Sequence, residues 1–185
     1  MLRCVGLALI VLPPIGCADR PAPRSPGARP AATPDITVAL CSPDEPGRRL
    51  VFSGRVLDSQ GLPFAKAAVI AWGTDENGLY VPRGSQSRVP RLRGTAVTGE
   101  DGRFRFMTVW PGAYPSATEP AHIHVGVMAH EHQMRYITFW FEGDPLLTEQ
   151  RRKVAGQNPE VKIVKPVQGR DGEWQFEYDV RLEHS

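Results

Sequence analysis

The chain consists largely of short segments in which apolar and polar side chains alternate, separated by turns rich in glycine and proline. Between residues 174 and 182 every second residue is apolar and the intervening ones are polar. This period of two is that of a strand with one buried face. Five other segments have the composition of strands, and they cover residues 50–57, 67–72, 103–109, 122–128 and 135–141. The pattern predicts an all-β fold, an antiparallel β-sandwich.

Helical structure is predicted at one place only. Glycine and proline contribute 18 residues each to the 185, an excess that favours turns and argues against a helical bundle. Asp144 followed by Pro145 has the character of an N-cap and first helical residue. The predicted helix then has one face formed by Leu146, Leu147, Gln150 and Val154.

The first sixteen residues have the features of an export signal. Arg3 precedes an uncharged, mainly apolar run that is shorter than the ~20 residues needed to span a bilayer. The run ends at Gly16-Cys17, which resembles a bacterial lipoprotein processing site. Residues 1–16 are therefore predicted to be a signal peptide, with a lipid anchor on Cys17. The alternative is ordinary cleavage nearby, in which case Cys17 could pair with Cys41.

The segment that follows is predicted to be a tether. Residues 17–35 are rich in proline and alanine and carry no large apolar side chain, so they cannot bury enough surface to offset the entropy of ordering. The folded domain is predicted to span residues 36–185. Its charge is balanced, with 22 Lys and Arg against 20 Asp and Glu, which disfavours nucleic acid as a partner. Membrane association is expected only through the anchor.

Two histidines share one face of a predicted strand. In the segment 122–128, His122 and His124 alternate with Ile123, Val125 and Val127, so the aliphatic side chains and the imidazoles point to opposite faces. A His-x-His pair on a strand can offer two nitrogen ligands to one metal. There are two alternatives. The histidines could be exposed or locally hydrogen-bonded, or they could form a zinc or copper site without phenolates.

Several motifs occur in a fixed order around this strand. They are Ala-Val-Ile-Ala-Trp at residues 68–72 with Tyr80 eight positions later, Thr-Val-Trp-Pro-Gly-Ala-Tyr-Pro at 108–115, Pro-Ala-His-Ile-His at 120–124 and Phe-Glu-Gly-Asp-Pro at 141–145. Together they resemble the intradiol ring-cleavage dioxygenases, the family that includes protocatechuate 3,4-dioxygenase and catechol 1,2-dioxygenase. The final alternating strand fits the last strand of that family.

The resemblance implies a fold, a metal site and a reaction. The fold is the intradiol dioxygenase sandwich, and the cofactor is Fe(III) held by Tyr80, Tyr114, His122 and His124. Tyr114 is the implied catalytic ligand, which departs when a catecholate binds. The implied partners are a small aromatic diol and O2, and the product is a muconate-type diacid. The alternative is a non-catalytic module of the cell envelope that binds a metal or an aromatic compound.

Two positions depart from the family pattern. Glu119 stands where the family usually has arginine, and Thr138 stands where it often has glutamine. A carboxylate in that place inverts the local charge. We expect Glu119 to face solvent or to pair with an arginine, and we expect catechols without a carboxylate to be preferred.

Other conspicuous side chains are assigned no part in the site. His130 and His132 form a second His-x-His pair, which is predicted to lie in a loop. Trp72 and Trp140 are predicted to be core residues.

Overall fold

The computed structural model describes residues 37–183. The predicted signal peptide, the Cys17 anchor and the tether lie outside these residues and stay predictions, as does the domain boundary at residue 36. Cys41 is half-buried and forms no disulfide with another described residue. No helix within residues 37–183 is long and apolar enough to cross a membrane.

Eleven strands and one helix form the described part of the chain. In order they are β1 (Val38–Ala39), β2 (Arg49–Leu57), β3 (Ala68–Gly73), β4 (Leu92–Val97), β5 (Arg103–Val109), β6 (His122–Met128), β7 (Arg135–Phe141), α1 (Glu149–Gln157), β8 (Val161–Val164), β9 (Val167–Gln168), β10 (Trp174–Glu177) and β11 (Val180–Arg181).

The strands form two sheets. One has the order β1-β5-β2-β10-β9, with β11 also pairing with β2, and the other has the order β4-β3-β6-β7-β8. The pairs β2–β5, β3–β4, β3–β6, β6–β7 and β9–β10 are antiparallel. Parallel pairs join β1 to β5, β10 and β11 to β2, and β8 to β7. The predicted all-β sandwich with one short helix is confirmed.

Aromatic side chains connect the two sheets. Phe52 stacks on Phe106 and Phe176 of its own sheet, with ring centroids 5.1 and 5.4 Å apart. Phe139 of the other sheet meets Phe176 edge to face at 5.2 Å. All four rings are buried, so they contribute both apolar area and ring contacts to the core.

The predicted last strand is broken into two. Side chains alternate in burial as expected, but Tyr178 and Asp179 interrupt the ladder between β10 and β11. Asp179 accepts hydrogen bonds from the backbone and guanidinium of Arg55, at 2.9 Å for the backbone N. Its carboxylate takes a position that a strand backbone carbonyl otherwise fills, which ends the regular pairing there.

The predicted start of the helix was wrong. Thr148 is the N-cap, accepting a hydrogen bond from the Arg151 amide. Asp144 instead accepts bonds from the amides of Leu146 and Ala121, at 2.8 and 3.1 Å. The carboxylate that was expected to cap the helix therefore ties the preceding turn to the start of β6. The predicted face was also wrong, because Val154 is exposed.

Candidate metal centre

Strand β6 presents its histidines on the outer face of the five-stranded sheet. Ile123, Val125 and Val127 point into the core and are at most 1% exposed, which confirms the predicted division of the strand. His122 is nonetheless only 2% exposed, and His124 is half-buried. The imidazoles are thus covered by other groups rather than open to solvent.

Tyr80 lies in the long loop between β3 and β4, which a partly buried ion pair holds in place. The Tyr80 carbonyl accepts a hydrogen bond from the Arg91 amide at 2.8 Å. The guanidinium of Arg91 pairs with Glu45, which is 8% exposed, and lies 3.5 Å from Asp75. Arg91 lowers the pKa of Glu45 through these hydrogen bonds. Asp75 also accepts a bond from the Leu79 amide at 3.0 Å, which shapes the turn before Tyr80.

Tyr114 lies in the loop between β5 and β6, which touches the Tyr80 loop backbone to backbone. The Gly112 amide donates to the Asp75 carbonyl at 2.8 Å. Gly78, with φ of +76°, lies so close that a Cβ atom there would be 1.9 Å from the Ala113 carbonyl oxygen. Only glycine combines this backbone conformation with such an approach. The two loops therefore stack with no side chain between them.

The four predicted ligand residues come together at this point. Oη of Tyr80 and Oη of Tyr114 are 2.7 Å apart. Oη of Tyr114 is 3.0 Å from Nε2 of His122, and Oη of Tyr80 is 3.0 Å from Nε2 of His124. Each phenol thus meets the other phenol and one imidazole, and all four donor atoms form one compact cluster.

Hydrogen bonds at the other ring nitrogen orient both imidazoles. Nδ1 of His122 donates to the carbonyl of Pro120 at 2.7 Å, because a carbonyl can only accept. This leaves the lone pair on Nε2, facing Tyr114. Nδ1 of His124 is 3.1 Å from Oγ1 of Thr138. Burial, assisted by the neighbouring His122, lowers the pKa of His124 to about 4, so its Nε2 is free to act as a ligand at neutral pH.

The phenols are protonated in the absence of a cation. Burial raises the pKa of both Tyr80 and Tyr114 above the usual value, and the negative charge of Glu119 raises both further. A metal bound here would have to displace two phenolic protons. Within residues 37–183, no group of three or more His, Cys, Asp or Glu side chains could hold a metal ion. The phenols are therefore half of the available donor set, and hard anionic oxygens of this kind suit a hard cation such as Fe(III).

Glu119 lies beside the cluster and is exposed to solvent, which is one of the two alternatives expected for it. Its side chain is 49% exposed, and its Oε2 lies 3.9 Å from Nε2 of His122. The other alternative, pairing with an arginine, is not seen, since none of the ion pairs between described residues joins Glu119 to an arginine or lysine. Arg151 of α1 is the adjacent cation, but it donates to the carbonyls of Leu146 and Thr118, at 2.6 and 2.7 Å.

Trp72 is a part of the site that the sequence interpretation missed. It was predicted to be a core residue, yet it lies on the outer face of β3 and stacks on His124, with ring centroids 5.1 Å apart and planes 26° apart. The signal was available, because Val69 and Ala71 of the same strand fill the inner face. Trp140 is buried as predicted.

The second His-x-His pair lies in a loop between β6 and β7, as predicted. Nδ1 of His132 bonds the carbonyl of Glu183 at 3.0 Å. Nδ1 of His130 is 3.7 Å from the carboxylate of Glu131, and both side chains are highly exposed.

The fold and the donor cluster define a β-sandwich protein with a mixed phenol and imidazole centre on the outer face of one sheet. Comparison with known proteins makes this class more specific. The family model described as "Dioxygenase" matches residues 25–184, and the chain belongs to the intradiol ring-cleavage dioxygenase family.

Curated relatives match about three fifths of the chain. The β chain of protocatechuate 3,4-dioxygenase from Burkholderia cepacia is 37% identical over 125 residues, which is 61% of this chain and 53% of that protein. Catechol 1,2-dioxygenase 1 from Acinetobacter lwoffii is 34% identical over 125 residues, which is 57% of this chain and 40% of that protein. The chain thus spans about half the length, or less, of these relatives.

Solved structures show the same fold. The dioxygenase domain of a dioxygenase and carbohydrate-binding protein fusion from Streptomyces sp. SirexAA-E has a TM-score of 0.64 and 25% identity, covering 84% of this chain and 94% of that domain. Catechol 1,2-dioxygenase from Acinetobacter sp. ADP1 also has a TM-score of 0.64, at 20% identity, covering 80% of this chain and 57% of that one. At that identity the second likeness concerns the fold alone.

Proposed function

We propose that this chain is a non-haem Fe(III) dioxygenase that opens the ring of a catechol-type aromatic compound with O2, giving a muconate-type diacid. The observation that carries the proposal is the meeting of Tyr80, Tyr114, His122 and His124, whose donor atoms are linked by separations of 2.7 to 3.0 Å. Two phenolates would offset two of the three charges of Fe(III), and the imidazoles would complete the set as neutral ligands. Membership of the family supports the same reaction.

The side chains of the cluster have different parts in this proposal. A bound ferric ion would supply Lewis acidity and would make an electron-rich ring reactive toward O2. His122 and His124 hold fixed positions, because each has its second ring nitrogen engaged by Pro120 or Thr138. Trp72 covers one face of the His124 ring and excludes water from it.

We propose that Tyr114 is the ligand that the substrate would displace. Burial raises the pKa of both Tyr114 and Tyr80, so each phenolate would be a stronger base than an ordinary tyrosinate, and the choice of Tyr114 rests on the family resemblance. Oη of Tyr114 could then accept a proton from a substrate hydroxyl as that hydroxyl takes its place. Tyr80 would stay a ligand throughout, because its loop is held through Arg91 and Glu45.

The test is reconstitution of the full chain with Fe(III). We expect a visible tyrosinate charge-transfer band, a spectral change when catechol is added without O2, and a ring-opened diacid, detected by mass spectrometry, once O2 is admitted. Tyr80→Phe and Tyr114→Phe should each shift or bleach the band. Tyr136→Phe is the matched control, since Tyr136 is an exposed phenol on the neighbouring strand.

The histidines provide a second comparison. His122→Ala and His124→Ala should lower iron occupancy, whereas His130→Ala, at an exposed histidine of the β6–β7 loop, should leave it unchanged. Stoichiometric zinc in the purified protein, combined with no visible band after ferric reconstitution, would contradict the proposal. A catechol-dependent spectral change without any O2 consumption would indicate a binding protein instead.

A further inference from the structure

Glu119 places a negative charge beside the donor cluster. Its Oε2 is 3.9 Å from Nε2 of His122, and that nitrogen is 3.0 Å from Oη of Tyr114. Any molecule that takes the place of Tyr114 must therefore lie close to this carboxylate.

Within the described residues, no lysine or arginine forms an ion pair with Glu119. Arg151 approaches from α1, but its guanidinium donates to the backbone carbonyls of Leu146 and Thr118. About half of the Glu119 side chain is exposed, so its carboxylate is accessible to a substituent on a bound ring.

We propose that Glu119 determines substrate choice by charge, and that the site favours catechols with a protonated amine substituent over neutral ones and disfavours carboxylated ones. This inference rests on the proposed catechol dioxygenase function. At a separation of roughly 6 Å and an effective dielectric between the values for a protein surface and for water, each unit of substituent charge should change affinity on the order of tenfold. The span from ammonium to carboxylate should then be about a hundredfold at low salt.

Three ligands of similar size test the proposal. They are 3,4-dihydroxybenzylamine, 3,4-dihydroxybenzyl alcohol and 3,4-dihydroxybenzoate, each titrated without O2 into the iron-loaded full chain while the visible spectrum is followed. The expected order of affinity is amine, then alcohol, then carboxylate. Because Glu119 is partly exposed, salt should compress the differences.

Variants of Glu119 test whether its charge causes this order of affinity. Glu119→Gln keeps the shape of the side chain and removes its charge, so the hundredfold span should fall to a few-fold, while Glu119→Arg should reverse the order. Glu100→Gln, at an exposed turn carboxylate before β5, is the matched control and should keep the wild-type order. Iron occupancy is measured for every variant, and comparison of the three ligands within one variant removes any difference in loading.

The outcomes separate this inference from the function on which it rests. Equal affinity for the three ligands in the wild type, or the same order in Glu119→Gln, would overturn the role of Glu119 and leave the proposed function standing. No spectral response to any of the catechols would overturn both.

Discussion

At the scale of single residues, His124 is held on three sides. Its Nδ1 meets Thr138 at 3.1 Å, its ring stacks on Trp72, and its Nε2 faces Tyr80 at 3.0 Å. A hydrogen bond to the second ring nitrogen fixes the orientation of a ligating imidazole and increases its basicity. Thr138, one of the two departures from the family pattern, thus has a definite structural place.

Removal of this hydrogen bond should weaken metal binding. We expect Thr138→Val to lower Fe(III) affinity by roughly 10- to 100-fold, the usual cost of losing such a partner, and Thr138→Ser to retain most of it. The measurement is competition with a ferric chelator. Thr95→Val changes an exposed threonine of β4 in the same sheet and serves as the control. Equal affinity in Thr138→Val and Thr95→Val would show that the bond does not position the ligand.

The buried state of His124 also makes a pH-dependent contribution to stability. Its pKa is about 4 in the folded protein and 6.5 in a model peptide, so the unfolded chain binds the proton more readily. The contribution is complete above pH 6.5 and is lost as pH falls toward 4. Between pH 7.5 and 5 the metal-free protein should lose up to about 2 kcal/mol through this residue.

Urea unfolding of the metal-free wild type and of His124→Asn at the two pH values measures this loss. The asparagine variant should be less sensitive to pH by about that amount, because the other titrating groups are common to both proteins. The same pH dependence in the two proteins would contradict the low pKa of His124.

At the scale of elements, two loops rather than two strands assemble the phenols. Tyr80 and Tyr114 are 34 residues apart in the chain, and their loops approach through Gly78 and Gly112, where the backbones leave no room for a Cβ atom. The position of each phenol therefore depends on the backbone of the other loop.

Two glycine variants with similar backbone strain test the contact between these loops. Gly78 and Gly84 have φ of +76° and +81°, but a Cβ at Gly84 would have no heavy atom within 4 Å. Gly84→Ala should cost about 1 kcal/mol of unfolding free energy from strain alone. Gly78→Ala should cost clearly more, because the Ala113 carbonyl must move, and it should also change the visible band. Equal effects of the two changes on both readouts would argue against the loop contact.

At the scale of the whole molecule, the two faces of the five-stranded sheet have separate tasks. The inner face packs against the other sheet and supplies the core, while the outer face carries His122 and His124. Changes to the site therefore need not disturb the core, since alternate residues of one strand serve the two purposes.

The N-terminal region leads to a proposal for the whole protein. We propose that the mature chain begins at Cys17 and is lipid-anchored in a bacterial cell envelope, on the evidence of Arg3, the short apolar run and Gly16-Cys17. Cys17→Ser should be released from membranes or left unprocessed. Intact-mass analysis and membrane fractionation measure this, and a mature N-terminus beyond Cys17 would contradict it.

Much of the fold and of the candidate site could be predicted from the sequence. The period of two determines which residues of a strand share a face, so the inner and outer sides of β6 followed directly from Ile123, Val125 and Val127 and from the histidines between them. The family motifs identified Tyr80 and Tyr114 as partners of those histidines. Such local patterns suffice because strand geometry is the same wherever a strand is placed.

Only the tertiary structure decided the features that depend on distant neighbours. The sequence predicts Asp144 as a helix cap, but its carboxylate accepts a hydrogen bond from the amide of Ala121. It predicts a continuous last strand, but the hydrogen bond from Arg55 to Asp179 interrupts that strand. Likewise, Arg151 donates to the carbonyls of Leu146 and Thr118 and forms no ion pair with Glu119. Polar side chains have several local options of similar free energy, and the choice among them is made by groups that the fold brings near from elsewhere in the chain.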